Sequence, residues 1–141
     1  MLSPSLGEYI EEIYQLSLMK SEVQIRDISQ GLNVSSHSVV KALRKLHREK
    51  YLYYQRHEGI RLTPQGKNLG RLLVKRNSIL HEFLFILNSD CDREKEVEIM
   101  EHYLSPSTIA AIEKLVEFIQ KEKAIMKKFT EFCDQLEDME E

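Results

Sequence analysis

The chain has 141 residues, 42% of them hydrophobic and 30% charged, with a formal net charge of −3. That length holds one domain, or two small ones sharing a core. No stretch approaches the ~18–20 consecutive apolar residues of a membrane span and no signal peptide is evident, so a cytoplasmic protein without membrane contact is expected. Cys91 and Cys133 form neither a CxxC pair nor a zinc spacing, and two thiols in such a chain are expected to be reduced rather than bridged.

The charge is unevenly distributed. Residues 1–35 carry two basic and five acidic side chains. Residues 36–76 carry eleven basic ones (Lys41, Arg44, Lys45, Arg48, Lys50, Arg56, Arg61, Lys67, Arg71, Lys75, Arg76) against two acidic, and residues 77–141 seven against sixteen. A basic block inside an acidic chain is the electrostatic footprint of a phosphate-binding segment.

In chain order, Ser3 as N-cap and Pro4 at the first helical position open a helix. Leu6, Ile10, Ile13, Tyr14 and Ser17 share one face of it, and Glu8, Glu11, Glu12 and Gln15 the other. Lys20-Ser21-Glu22 is a loop. Residues 25–32 read as a short helix closed by Gly31. From Ser35, the expected N-cap, Val39, Ala42, Leu43 and Leu46 fall on one side at 100° per residue, with His37, Lys41, Arg44 and Arg48 opposite. Residues 51–56 and 60–62 are β-prone runs joined by His57-Glu58-Gly59, a hairpin with Arg56 and Arg61 near its tip. Helix, turn, basic helix and Gly-tipped hairpin in this order describe a winged helix-turn-helix that binds DNA. The competing reading is a helical bundle whose charged face only meets water.

Thr63-Pro64 repeats the cap-and-proline start and opens a long helix to about residue 87, with Leu69, Leu72, Leu73, Leu80, Phe83 and Leu87 among its apolar positions, broken by Asn88-Ser89-Asp90. A helix over about 91–104 carries Val97, Met100 and Leu104 on one face and Glu94, Glu98, Glu101 and His102 on another. Ser105-Pro106 starts a helix with Ile109, Ile112, Leu115, Val116 and Ile119. The last helix carries Ile125, Phe129, Phe132 and Leu136 before an acidic tail at 137–141. The expected architecture is mainly α: a winged helix-turn-helix with a two-stranded wing over 1–70, then an all-α dimerisation domain over 71–141, connected by the long helix. These C-terminal helices have more apolar face than so few can bury alone, which predicts a symmetric homodimer.

Three groups of side chains share one chemistry. Glu8 and Glu11 (i, i+3) can reach one point, as can Glu98, Glu101 and His102 (i, i+3, i+4), while Asn77 and His81 are one turn apart. Carboxylates with imidazole and no thiolate suit Mn²⁺ or Fe²⁺ better than a structural zinc. Each fragment alone also reads as an ordinary solvated helix face.

The stretches Pro4-Ser5-Leu6-Gly7-Glu8-Tyr9-Ile10-Glu11-Glu12-Ile13-Tyr14, Tyr51-Leu52 with Gly59 and Leu62-Thr63, Gly66-Lys67, and Glu98-Ile99-Met100-Glu101-His102-Tyr103-Leu104-Ser105 together resemble the short, manganese-responsive branch of the diphtheria-toxin-repressor family, the manganese transport regulators. The resemblance runs in order across nearly the whole chain. It implies that Glu11, Glu98, Glu101 and His102 are metal ligands. Glu8 stands where that branch usually has Asp, and Asn77 where the pattern has His, with His81 as a substitute one turn on. One well-formed site per protomer, built on Glu11, Glu98, Glu101 and His102, is expected for Mn²⁺ or, failing that, Fe²⁺ or another divalent cation, with a neighbouring site using Glu8 and Asn77 weakened, altered in metal preference or lost. No SH3-like domain of the longer relatives is expected.

The expected function follows: a metal-responsive repressor of metal-uptake genes that binds a palindromic operator as a homodimer. A cation shared between the halves would relieve carboxylate repulsion and fix two recognition helices about one DNA turn, ~34 Å, apart. Ser36, His37, Lys41 and Arg44 are the candidates for base edges, and Arg48, Arg56, Arg61 and Lys67 for phosphates. Two alternatives compete: a winged-helix regulator that is metal-independent or answers to another ligand because Asn77 degrades the site, and a metallohydrolase. No nucleophile arrangement or phosphate-cradling glycine loop supports the latter, and no small organic substrate is expected.

Overall fold

The computed structural model describes residues 4–140. Its elements are α1 (Leu6–Met19), α2 (Ile25–Leu32), α3 (Ser36–Arg48), β1 (Leu52–Gln55), β2 (Gly59–Leu62), α4 (Pro64–Ile86), α5 (Arg93–Tyr103), α6 (Pro106–Lys121) and α7 (Lys123–Glu140). The chain divides into two compact units, one ending at Val74 and one beginning at Lys75. No helix among the described residues is long and apolar enough to cross a membrane.

In the first unit, α1 starts later than the Ser3-Pro4 pattern predicts. Ser5 is the cap, its hydroxyl oxygen accepting from the Glu8 N–H at 3.2 Å, and Ser3 lies outside the described residues. The buried stripe of α1 is Tyr9, Ile10, Ile13 and Leu16. Ser17, expected on that face, is exposed and donates to the Tyr14 carbonyl instead. Glu12, expected in solvent, is half-buried, because its carboxyl group lies where a side chain on Gly31 would have to be. Gly31 therefore serves close approach inside α2 and does not close it. The closing residue is Asn33, in the left-handed region at φ 54°, a conformation that asparagine tolerates.

The entry to α2 is held from two sides. Asp27 accepts from the Gln24 N–H at 2.9 Å and from the Lys20 ammonium at 2.6 Å. Helix α3 follows its predicted pattern: the Ser35 oxygen accepts from the Ser38 N–H at 3.1 Å, and Val39, Ala42, Leu43 and Leu46 are buried. They join Ile10, Ile13 and Ile28 in one core.

The wing is antiparallel, with Leu52 opposite Leu62, Tyr53 opposite Arg61, Tyr54 opposite Ile60 and Gln55 opposite Gly59. The period of two puts Leu52, Leu62 and Ile60 against the core, where all three are buried, while Tyr53 and Arg61 are exposed on the other face. Val23 adds a single bridge to Ile60. The tip uses two positive-φ residues, His57 at 80° and Gly59 at 88°. His47 fixes the strand to α3, its Nδ1 accepting from the Tyr54 N–H at 3.1 Å.

Buried Thr63 joins wing to α4. Its hydroxyl donates to the Lys50 carbonyl at 2.7 Å and accepts from the Gly66 N–H at 3.1 Å, capping α4. Its own N–H donates to the Tyr51 carbonyl at 3.1 Å. Gly66 sits so close to that carbonyl that no side chain fits there.

In the second unit, Leu80, Leu84 and Val97 form a buried cluster with Cys91, Met100, Leu104 and Ile112 packed on it. Asn88, at φ 57°, ends α4 as the sequence break predicts. Asp92 caps α5, which begins two residues later than expected, and Ser105 caps α6 with Pro106 in its first turn. Lys75 on α4 and Glu113 on α6 form an ion pair at 2.8 Å, and the hydrogen bond to Glu113 raises the Lys75 pKa above the ordinary lysine value. Residues 137–140 of the predicted acidic tail are instead the last turn of α7, and Glu141 lies outside the described residues. Both cysteines are free.

Candidate functional site

The DNA-reading candidates lie in the first unit. Ser36 and His37 occupy the first turn of α3, and Lys41, Arg44 and Arg48 follow along it; all five are exposed. The cause is local. Four buried apolar residues fix the rotation of α3, so the residues at the complementary angles face outward.

Arg56 and Arg61 line an open groove of about 740 Å³ between the wing and the segment leading into α2. Arg26, on the first of the two helices and outside the set expected from the sequence, lines it too. Arg61 and Lys67 also line a second groove, of about 550 Å³, between the wing, the end of α1 and the start of α4, together with Arg71. The i, i+4 spacing of Lys67 and Arg71 is the signal that points to Arg71.

The acidic candidates are divided between the units. On α1, Glu8 and Glu11 are one turn apart and both half-buried. Glu8 stands beside Tyr9, whose hydroxyl pKa is raised by burial and further by the Glu8 charge. Burial likewise raises Glu12 above the usual carboxylate value. On α5, Glu98 and Glu101 are half-buried and His102 is exposed. Their angular positions follow from Val97, Met100 and Leu104 facing the cluster. Asn77 and His81, on the second half of α4, are half-buried.

The donor chemistry fits a hard divalent cation. It consists of carboxylates, one or two imidazoles and no thiolate, since Cys91 packs on the hydrophobic cluster. Asn77 offers a neutral carbonyl oxygen where an imidazole would bind more strongly.

Residues 1–60 match the family model described as iron dependent repressor, N-terminal DNA binding domain. Residues 63–130 match iron dependent repressor, metal binding and dimerisation domain. The HTH-type transcriptional regulator MntR of Bacillus pumilus (strain SAFR-032) is 39% identical over 136 residues, covering 91% of this chain and 94% of that protein. MntR of Bacillus subtilis (strain 168) is 38% identical over 125 residues, 88% of either chain. Among solved structures, the manganese regulator SloR is similar at a TM-score of 0.72 and 25% identity, over 83% of this chain. The metal-dependent transcriptional regulator MtsR, at a TM-score of 0.75 and 19% identity, shares the fold. This chain spans 55% of the length of each of those two solved chains.

Proposed function

The chain belongs to the iron-dependent repressor family of DNA-binding transcription regulators, and we propose that it is a manganese-responsive repressor of metal-uptake genes, acting as a homodimer on a palindromic operator. It is a regulator and not an enzyme, as are the relatives it matches. The cofactor is a divalent cation, and Mn²⁺ is the ion that the all-oxygen-and-nitrogen donor set and the manganese-regulating relatives favour. Glu11, Glu98, Glu101 and His102 would hold it, with Glu8 contributing a carboxylate and with Asn77 and His81 too weak to complete a second site. The ion supplies positive charge among carboxylates that otherwise repel one another.

The observation that carries this reading lies within the first unit. Glu8 and Glu11 are on α1, and α1 shares one core with the recognition helix: Ile10 and Ile13 are buried with Ile28, Val39 and Leu43. A pull on these two carboxylates therefore reaches α3 through packed side chains, with no loop between. Ser36, His37, Lys41 and Arg44 then read base edges, while Arg48, Arg56, Arg61 and Lys67 hold phosphates. Cation and operator affinities are coupled reciprocally, by about 1–3 kcal/mol. Release from metal control is not favoured, since the metal-binding domain is matched over 63–130.

Calorimetric titration with Mn²⁺, paired with operator binding in metal and in chelator, tests this. About one tight ion per protomer is expected, rising to two in Asn77→His, with operator binding lost in chelator. Glu101→Ala and His102→Ala should each abolish the metal response and leave the dimer intact. Unchanged Mn²⁺ affinity in both variants would remove these residues from the ligand set.

A further inference from the structure

Helix α7 is 18 residues long, and none of its described residues is buried. Its large apolar side chains are Ile125, Met126, Phe129, Phe132, Leu136 and Met139; Met126, Phe129 and Cys133 are half-buried, while Ile125, Phe132, Leu136 and Met139 stand at steps of seven, four and three. Those four fall on a and d positions of the 3.5-residue repeat of a coiled-coil seam, beside the half-buried face of the same helix. All four are open to solvent in the protomer: Ile125 40%, Phe132 56%, Leu136 47% and Met139 83% exposed. A helix of this length is marginal in water on its own, so a partner along the exposed seam would add to what α7 gains by packing on α6.

The charges of α7 select the partner and its direction. Its three cations, Lys123, Lys127 and Lys128, lie in the first six residues. Four of its five acids, Asp134, Glu137, Asp138 and Glu140, lie in the last seven. There is no acid in the first turn and no base in the last. This order opposes the helix dipole, which favours acids at the start and bases at the end. The helix thus carries a local cost that its own protomer does not explain, and such costs are expected where another level of structure gains. Two such helices side by side in the same direction would set cations against cations and acids against acids. Side by side in opposite directions, each cationic start meets an acidic end, and the two dipoles oppose.

We propose that α7 pairs antiparallel with α7 of a second copy of this chain, along the seam from Ile125 to Met139. The pairing is two-fold symmetric and closes on itself, so it ends at the dimer. It rests on the homodimer reading above and names one surface and one orientation within it.

The test is a charge-swapped full-length chain, Lys123→Glu, Lys127→Glu, Lys128→Glu, Asp134→Lys, Glu137→Lys and Asp138→Lys, mixed with the tagged unaltered chain at low ionic strength. The swap agrees with the helix dipole, so helix content by circular dichroism should be unchanged or higher. Each chain alone should dimerise, and native mass spectrometry of the equilibrated mixture should show homodimers with heterodimer well below the share expected of random assortment. High salt should move the mixture toward random. An excess of heterodimer would mean parallel helices, and random assortment at low salt would mean that α7 does not line the interface; either overturns the proposal while leaving the homodimer standing. An unaltered chain that is monomeric throughout would overturn the homodimer reading itself, and the seam with it.

Discussion

Among the described residues, thirteen buried apolar side chains make one continuous core in the first unit, whereas the main buried cluster of the second has three. The exposed apolar side chains are distributed the other way: Phe85, Leu115, Phe118, Ile125, Phe132 and Leu136 are all at least 40% exposed in the second unit. The two halves therefore solve different problems. The first closes its core within one chain, as a rigid reading head must. The second leaves apolar faces open, which in the proposed homodimer would tie its stability to association and hence to protein concentration.

The sharpest way to break the first unit is at its tightest joint. Gly66→Ala would drive a methyl group into the Tyr51 carbonyl, a backbone atom that already accepts the Thr63 N–H. A loss of about 3 kcal/mol or more is expected in urea unfolding. Leu43→Ala, at a fully buried position, should cost ~2–5 kcal/mol. Its effect should not change with protein concentration, whereas the unfolding midpoint of the second unit should rise as concentration rises. A concentration-independent midpoint for both units would erase the contrast.

That contrast also separates what the sequence could tell from what it could not. Val39, Ala42, Leu43 and Leu46 were expected inside α3 and are buried, because helical periodicity is a property of one element and is written in neighbouring letters. Ser35 as a cap was legible for the same reason. Glu12 was not: its half-burial depends on Gly31 of another helix, and nothing within α1 marks it. The Val23 bridge to Ile60 joins residues far apart in the chain and was equally invisible. For the candidate ligands, the i, i+3, i+4 spacing names Glu98, Glu101 and His102 as co-facial, but spacing says nothing of how deeply each is buried, and His102 is the exposed one.

Smaller effects are expected on the DNA-facing surface, where side chains leave the core untouched. Lys41→Ala and Arg44→Ala should each weaken operator binding by ~1–3 kcal/mol and relax preference at one base position, with Mn²⁺ uptake unchanged. Arg61→Ala or Lys67→Ala should weaken binding to all sequences alike and reduce the salt dependence of log K by about one. Fluorescence anisotropy over a salt series with operator and scrambled duplexes distinguishes the two classes. A sequence-selective loss in Arg61→Ala would move that residue into the base-reading group.

The smallest effect concerns the entry to α2, where the first unit relies on charge instead of packing. The Lys20 ammonium, and after it the Gln24 N–H, hold the Asp27 carboxyl below the usual aspartate value. A folded-state pKa below the unfolded one contributes stability only while the carboxylate is ionised. The contribution is present above the unfolded value of about 4 and fades as pH falls through the lower folded value. Asp27→Asn should therefore destabilise the first unit slightly at neutral pH and converge with the unaltered protein in acid. Lys20→Ala should reproduce only part of that loss, because the Gln24 N–H still binds the ionised carboxylate at 2.9 Å. Urea midpoints measured from pH 7 to pH 3 read both. A gap between Asp27→Asn and the unaltered chain that persists unchanged into acid would mean that the side chain acts through shape and hydrogen bonding, with its charge irrelevant.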